Sequence, residues 1–120
     1  MLTQRQQRLN RLIREEISEM LLRHLKDPRL SGMITITEVQ VAPDFTQAIV
    51  YVLVSGTAEE RKEKLAGLTS AARHMRGELG RRLRLRHTPE LDFRMDVAQE
   101  RGDRVLDLMD QVRRELHRDE

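Results

Sequence analysis

The spacing of the apolar residues changes repeatedly between two periods along this chain, and this change is the strongest constraint on its fold. Steps of three and four residues are typical of a buried helical stripe, and steps of two are typical of a half-buried strand. Read from the N-terminus, the two periods predict a helix, two strands, a long helical region, a third strand and a last helix. Such an order favours an α+β fold, with helices on one face of a three-stranded sheet.

The first helix is predicted over about residues 4–25. Proline restricts the residue before it away from helical geometry, so this helix should end ahead of Asp27-Pro28-Arg29. Its predicted buried stripe comprises Leu9, Leu12, Ile13, Ile17, Met20, Leu21 and Leu25.

Two strands follow, and we predict that they form an antiparallel hairpin. The first begins with Ile34-Thr35-Ile36-Thr37, which alternates in polarity and is rich in β-branched side chains. The second, Gln47–Val54, is almost continuously hydrophobic, as is typical of a strand covered on both faces. Turn-forming residues at Ala42–Phe45 join the two strands. Near Glu38 the apolar positions shift from even to odd numbers, which predicts a β-bulge.

A capping box opens the long helical region, because Thr57 is followed three residues later by Glu60. The glycines at 67, 77 and 80 each weaken a helix by about 1 kcal/mol relative to alanine, which favours kinking or division of the region. We expect Pro89 to stop the helix. The predicted stripe comprises Leu65, Leu68, Ala72, Met75, Leu79 and Leu83.

The third strand and the last helix complete the chain. Leu91, Phe93 and Met95 alternate with charged residues, which predicts a strand with one wet face. After Gly102 the apolar residues again recur at steps of three and four, which predicts an amphipathic helix over about residues 103–117. The sequence does not show whether this helix is ordered in isolation. No linker or repeat interrupts the chain, so we predict a single domain over residues 1–120.

The composition excludes several classes of protein. The chain has no cysteine, which excludes disulfides and thiolate metal sites. Its longest unbroken apolar run, Ala48–Val54, has seven residues, whereas a helix that spans a bilayer needs about 20. The N-terminal residues lack the apolar segment of a secretion signal. We therefore expect a cytoplasmic protein without a membrane partner.

Few residues are placed for catalysis. No two of the four histidines lie at the i, i+4 spacing of a helical metal site, and no nucleophile elbow, phosphate-binding loop or dinucleotide fingerprint occurs. Asp44 falls in a turn, and Asp92 and Asp96 fall on the wet face of a strand, which favours solvated charge over acid–base chemistry. We predict a protein that is not an enzyme and that uses no metal or cofactor.

A dense arginine segment is the strongest functional signal in the sequence. Residues 72–87 hold six arginines and one acid, Glu78, in a chain whose formal net charge is only +2. Guanidinium groups bind phosphate oxygens bidentately, and they release counterions when they meet a polyanion. The predicted RNA contacts are Arg73, Arg76, Arg81, Arg82, Arg84 and Arg86. The alternative is an ordinary solvated helix end, whose positive charges complement the helix dipole.

Base stacking is not expected from this sequence. The only aromatic residues are Phe45, Tyr51 and Phe93. They fall at core or turn positions, so we expect recognition of RNA backbone and shape rather than of bases. Residues 77–80 have the letters of the backbone-clamping GXXG loop. Since Glu78 would repel phosphate and Leu79 lies on the buried stripe, a glycine-bearing stretch of helix is the favoured interpretation.

Several stretches of the sequence resemble the ribosome-binding factor A family, in order over nearly the whole chain. They are Ile34–Val39, Ala48–Val52 and Leu79–Phe93, which contains the arginine–leucine block. The resemblance implies a type II KH-like domain in which a helix–kink–helix replaces the GXXG loop. The family's kink carries an Ala-x-Gly signature. The matching positions here are Ala71, Ala72 and Arg73, with arginine in place of glycine.

The resemblance also implies a function. It implies a factor that binds the free small (30S) ribosomal subunit and its rRNA, and that assists late maturation and 5′-end processing of 16S rRNA without catalysis. We expect a monomer. Two other interpretations stay open: a protein–protein interaction module that uses the last helix or an exposed strand edge, and, more remotely, a processing nuclease.

Overall fold

The fold follows from a computed structural model of the chain, which describes residues 2–23 and 34–118, apart from the side chains at 97, 100, 103 and 118. Within these ranges the elements are α1 (Gln4–Arg23), β1 (Ile34–Val41), β2 (Gln47–Val54), α2 (Ala58–Leu83), β3 (Glu90–Met95) and α3 (Val97–Arg118). The predicted element order and α+β class are therefore confirmed. The predicted end of the first helix, with Asp27-Pro28-Arg29, lies outside the described residues.

The sheet has the order β1-β2-β3, with β2 in the centre. β1 and β2 are antiparallel, and the register between them shifts between Ile36 and Glu38, so the predicted hairpin and bulge are confirmed. β2 and β3 are parallel, from Gln47 beside Glu90 to Val52 beside Met95. A parallel pair needs a long crossover, and α2 provides it.

The core lies between one face of the sheet and the two helices α1 and α2. β2 contributes alternate residues to this core, from Ala48 to Val54. The largest fully buried helical side chains are Ile13, Ile17, Met20, Leu68, Met75 and Leu79. The expectation that β2 is covered on both faces is wrong for the described part of the chain. Ile49 and Tyr51 are half-buried and Leu53 is exposed, because both helices pack on the opposite face.

The predicted capping box opens α2. The Glu60 backbone N–H donates to Thr57 Oγ1 at 3.2 Å, and the Thr57 N–H donates to Glu60 Oε1 at 3.3 Å. The hydrogen bond from the Thr57 backbone, followed by one from the Thr57 side chain, lowers the pKa of the Glu60 carboxyl below its ordinary value. From this cap α2 continues without a break to Leu83, through the positions 71–73 of the family's kink signature.

α2 ends at Leu83, well ahead of Pro89, and a left-handed residue rather than the proline ends it. The expectation that Pro89 stops this helix is therefore wrong. Arg84 adopts a left-handed conformation, with φ 53° and ψ 44°, and its N–H donates to the Gly80 carbonyl. The Leu85 N–H reaches the same carbonyl at 3.2 Å, a helix termination typical of a left-handed cap. A Cβ at Gly80 would lie 2.4 Å from Thr88 Oγ1. The glycine therefore lets residues 85–88 fold back against the helix.

α3 begins at Val97 rather than after Gly102, because Asp96 serves as its cap. Asp96 Oδ1 accepts the Ala98 N–H at 2.9 Å. The Gln99 side chain then accepts the Val54 N–H at 3.1 Å and donates to the Val54 carbonyl at 2.8 Å, which fixes the first turns beside the sheet. Further along, the apolar side chains of α3 remain exposed. They are Val105, Leu106, Leu108, Met109, Val112 and Leu116.

Candidate nucleic-acid interface

A cleft of about 960 Å³ opens at one end of the sheet, where β1 ends and where β2 and β3 begin. Most of its lining comes from the N-terminal half of α1, the turn between β1 and β2, and the segment that links α2 to β3, and α2 adds Arg76. α3 leaves from the opposite end of the sheet, after Met95. We call this feature the basic cleft.

Positive charge dominates the lining of the basic cleft. Its cationic and titratable basic residues are Arg5, Arg8, Arg76, Arg86 and His87. Two carboxylates, of Asp44 and Glu90, also line it. With His87 neutral, four arginines minus two acids leave a formal charge of +2. A concave surface of this sign concentrates anions.

Helix α1 is fixed at this end of the sheet by polar contacts of its first turns. Gln6 and Thr3 form a second capping box, in which the Gln6 N–H donates to Thr3 Oγ1 at 3.1 Å and the Thr3 N–H donates to Gln6 Oε1 at 3.0 Å. The buried Gln6 amide also donates to the Val41 carbonyl at 3.4 Å, and Asn10 Oδ1 accepts the Val41 N–H at 2.8 Å. These bonds hold the start of α1, with Arg5 and Arg8, at the cleft.

The turn between β1 and β2 brings Phe45 into the cleft lining. The Phe45 N–H donates to the Ala42 carbonyl at 2.9 Å. Asp44 Oδ1 accepts hydrogen bonds from the Thr46 hydroxyl at 2.7 Å and from the Thr46 N–H at 3.1 Å, and these bonds lower the pKa of the Asp44 carboxyl. Phe45 has a φ of 61°, a left-handed conformation that is uncommon for a bulky residue. The Arg5 guanidinium lies 5.3 Å from the ring centroid.

Two of the predicted RNA contacts lie in the basic cleft. Arg76 lines it from α2, and its Nε donates to the Thr88 carbonyl at 3.0 Å, while its Nη1 lies 3.9 Å from Glu90 Oε1. Arg76 therefore also holds the linker between α2 and β3 in place. Arg86 lines the cleft from that linker and is exposed.

Arg82 is engaged elsewhere, between α1 and α2. Its Nη1 lies 3.1 Å from Glu16 Oε2 and 3.8 Å from Glu19 Oε2, and its Nη2 lies 3.0 Å from Glu78 Oε1. The hydrogen bond to Glu16, followed by that to Glu78, raises the pKa of the Arg82 guanidinium. With three carboxylates around it and a quarter of its side chain exposed, Arg82 joins two helices and is poorly placed for a phosphate.

The other predicted contacts lie outside the cleft lining. Arg73, Arg81 and Arg84 are exposed, and no carboxylate pairs with them within residues 2–23 and 34–118. Ala71 and Ala72 pack against the core. The six predicted arginines thus form no single patch, and their role as RNA contacts stays a prediction. So does the role of positions 71–73 as a kink.

Sequence reasoning missed the arginines of α1. Arg5 and Arg8 stand three residues apart, which makes them neighbours on one side of a helix. That pattern was available, but it does not show which residues face the linker after α2. The Thr3–Gln6 spacing was likewise a readable sign of where α1 begins.

The family model described as ribosome-binding factor A matches residues 5–109 of this chain. The chain belongs to the ribosome-binding factor A family. The ribosome-binding factor A of Dictyoglomus thermophilum is 52% identical to it over 103 residues, which cover 86% of each protein. That of Desulfitobacterium hafniense is 41% identical over 116 residues, covering 97% of this chain and 92% of the relative.

Solved structures of family members share the fold. The crystal structure of ribosome-binding factor A from Thermus thermophilus has a TM-score of 0.67 and 29% identity, over 75% of this chain and 93% of that one. A homology model of the Thermus thermophilus ribosome-binding factor A, fitted into the cryo-EM map of a complex with the 30S subunit, has a TM-score of 0.57 and 31% identity, over 81% of this chain and 97% of that one.

Two further findings concern the described residues alone. None of their helices is both long and apolar enough to cross a membrane. They also contain no group of three or more histidine or acidic side chains that could hold a metal ion.

Proposed function

We propose that this chain binds the free small ribosomal subunit in the cytoplasm and assists late maturation and 5′-end processing of its 16S rRNA, without catalysing a reaction. The observation that carries this proposal is the convergence of four arginines from three separate parts of the chain on one cleft. The fitting of the Thermus relative into a map of a 30S complex supports the small subunit as the polyanion.

The surroundings of two cleft arginines, Arg8 and Arg86, support phosphate binding. Within the described residues, neither Arg8 nor Arg86 has a carboxylate partner, and both are exposed. Each guanidinium can therefore exchange water and counterions for a phosphate. Contacts of this kind supply most of the affinity for nucleic acid and make it fall steeply with salt. The exposed Arg73, Arg81 and Arg84 would extend the contact along α2.

The mechanism that suits such a surface is stoichiometric. A protein that binds one conformation of an RNA better than another shifts the population towards the first, by as much as the two affinities differ. The basic cleft would hold an immature conformation of the rRNA through its phosphates. Maturation would then remove the preferred surface, and the factor would dissociate.

A protein–protein interaction module is the second candidate, and one observation favours it. Six apolar side chains of α3 are between 48% and 66% exposed, and contiguous exposed apolar surface often marks an interaction site. In this alternative, the chain would reach the ribosome through α3 and would not depend on the cleft arginines.

Co-sedimentation with free small subunits, large subunits and joined ribosomes tests the proposal. We expect the protein to migrate with free small subunits only, and to do so less as salt is raised. The variant Arg8→Gln/Arg86→Gln should lose most of this migration. Arg101→Gln/Arg114→Gln, with the same charge change on α3, is the matched control and should migrate as the unmodified chain does.

Contrary results have distinct meanings. Migration with every particle would overturn the selectivity for the small subunit. Equal migration of the cleft variant and its control would favour the protein-interaction alternative.

Primer extension on rRNA from cells tests the processing step. Cells that depend on the cleft variant should accumulate 16S rRNA with an unprocessed 5′ end. Normal 5′ ends in those cells would overturn that part of the proposal.

A further inference from the structure

The basic cleft has an apolar floor that phosphate binding does not use. Leu9, Leu12, Phe45 and Leu85 line it, and each is half-buried. Apolar area stabilises a complex only when an apolar part of the ligand covers it. A ligand that matches the whole cleft therefore combines an anionic group with a flat apolar group, as a nucleotide does with its phosphate and its base.

The size of the cleft agrees with such a ligand. Its volume of about 960 Å³ is at the upper end of the range of about 300–1,000 Å³ that small-molecule sites occupy. This is enough for a base together with its sugar and phosphate. It is too small for a duplex, whose bases are stacked inside and whose outer surface is mostly sugar and phosphate.

Phe45 is the residue that can stack on the base. Its left-handed φ of 61° is a strained conformation, and such conformations cost about 1–3 kcal/mol and cluster at functional sites. The strain is maintained by the Asp44–Thr46 hydrogen bonds on the same turn. The result is an aromatic ring at the cleft, in a sequence whose aromatic residues otherwise lie on strands.

The Arg5 guanidinium completes the site, because it lies over the ring of Phe45. It lies 5.3 Å from the centroid of the Phe45 ring. Stacked atoms are separated by about 3.5–4.0 Å, so a base between the two groups needs a gap of about 7–8 Å between them. Arg5 is exposed, and a movement of its flexible side chain by about 2–3 Å, the size of one rotamer change, provides this gap.

Building on the proposed function, we propose that the basic cleft binds one unpaired nucleotide of RNA, with its base stacked between Phe45 and Arg5 and its phosphate among Arg8, Arg76 and Arg86. The placement of the three aromatic residues in the sequence led to the expectation that backbone and shape, rather than bases, are recognised. The position of Phe45 adds a contact with a base, of a kind that tolerates different bases because every base has a π-face.

The two acidic residues of the cleft limit where the phosphate can lie. The Asp44 carboxylate accepts a hydrogen bond from the Thr46 hydroxyl, and Glu90 Oε1 lies 3.9 Å from Arg76 Nη1. Both repel a phosphate that comes close to them. The phosphate is therefore expected on the side of Arg8 and Arg86, which have no carboxylate partner in the described part of the chain.

Fluorescence of a short single-stranded RNA that carries 2-aminopurine tests this proposal, because stacking on an aromatic ring quenches that base. We expect the full chain to bind the oligonucleotide with quenching, and to bind an RNA duplex of equal charge more weakly and without it. Phe45→Leu keeps an apolar side chain but removes the ring. It should weaken binding of the oligonucleotide by about 5- to 150-fold and abolish the quenching.

Phe45→Tyr is the control for folding at this turn, since it keeps an aromatic ring and should preserve both affinity and quenching. Arg8→Gln should weaken binding but leave the quenching of the bound fraction. Equal loss of quenching in Phe45→Tyr and Phe45→Leu would overturn the stacking role. So would a duplex that binds as tightly as the single strand, or competition by poly-glutamate as strong as that by unlabelled RNA.

Co-sedimentation of the same variants separates this inference from the proposed function. If the unmodified chain migrates with small subunits but does not quench the labelled RNA, the nucleotide site is wrong and the ribosomal function stands. If the unmodified chain fails to migrate with small subunits at low salt, the proposed function itself is wrong, and a nucleotide site that quenches would then belong to another RNA.

Discussion

The Nη1 atom of Arg82 lies 3.1 Å from the Oε2 atom of Glu16, so one arginine of the basic segment connects α2 to α1. Three carboxylates surround this guanidinium. The relationship distinguishes Arg82, which joins two helices, from Arg73, Arg81, Arg84 and Arg86, which are exposed. A count of positive charges could not make this distinction.

Replacement of Arg82 should therefore affect stability more than RNA binding. We expect Arg82→Met to lower the melting temperature, because Glu16 and Glu78 lose their common partner and then repel each other. The melting temperature can be followed by circular dichroism, with Arg81→Met as the control, since the neighbouring Arg81 is exposed. If Arg82→Met melts as Arg81→Met does and abolishes binding to small subunits, the ion-pair assignment is wrong.

The capping box of α2 predicts a pH-dependent contribution to stability. Glu60→Ala should destabilise the chain at neutral pH, because it removes the carboxylate that accepts the Thr57 N–H. The pKa of Glu60 is lowered in the folded chain, so its contribution is fully present above the ordinary pKa and is lost as the pH falls through the lowered value. The difference in unfolding free energy between the two chains should shrink on acidification. Urea titrations at neutral and acid pH check this, and a difference that grows in acid would contradict it.

The packing of Gly80 against Thr88 predicts a coupled pair of substitutions. Gly80→Ala should destabilise the chain, because the new Cβ would lie 2.4 Å from Thr88 Oγ1. In the Thr88→Ala background that oxygen is absent and the nearest remaining atom, Cβ, lies at 3.5 Å. There, Gly80→Ala should be neutral or stabilising by up to about 1 kcal/mol. A double-mutant cycle without coupling would show that this close approach is not what requires glycine.

The exposure of α3 predicts that most of this helix contributes little to the core. A chain that ends at Arg101 keeps Asp96 and Gln99, which fix the first turn, and loses the exposed apolar residues from Val105 onward. We expect its melting temperature and its affinity for small subunits to remain close to those of the full chain. Loss of affinity with unchanged melting would favour the protein-interaction alternative.

Much of the fold could be predicted from the sequence because local rules determine it. The period of the apolar residues indicated the element order, the phase shift near Glu38 indicated the bulge, and the Thr57–Glu60 spacing indicated the start of α2. The end of α2 could not be predicted in this way. It depends on Arg84 adopting a left-handed conformation and on the close approach of Thr88 to Gly80, which are tertiary features.

The candidate site was harder to predict for the same reason. The high content of arginine in residues 72–87 led to the prediction of Arg76 and Arg86, which do line the cleft. It also led to the prediction of Arg82, whose partner Glu16 lies far away in sequence. It omitted Arg5 and Arg8, which reach the cleft only because Gln6 and Asn10 bind the end of β1. Phe45 was assigned to a turn correctly, yet its place in the lining of the cleft depends on a positive φ that its residue type does not predict.

The most direct test of the central claim is the salt dependence of affinity for free small subunits. Each phosphate contact contributes about 0.7–0.9 to the slope of log K against log salt concentration. We predict that Arg8→Gln/Arg86→Gln has a slope shallower by about 1.4–1.8 than that of the unmodified chain, whereas Arg101→Gln/Arg114→Gln leaves the slope unchanged. Equal slopes for all three proteins would contradict the claim that the basic cleft binds the RNA of the small subunit.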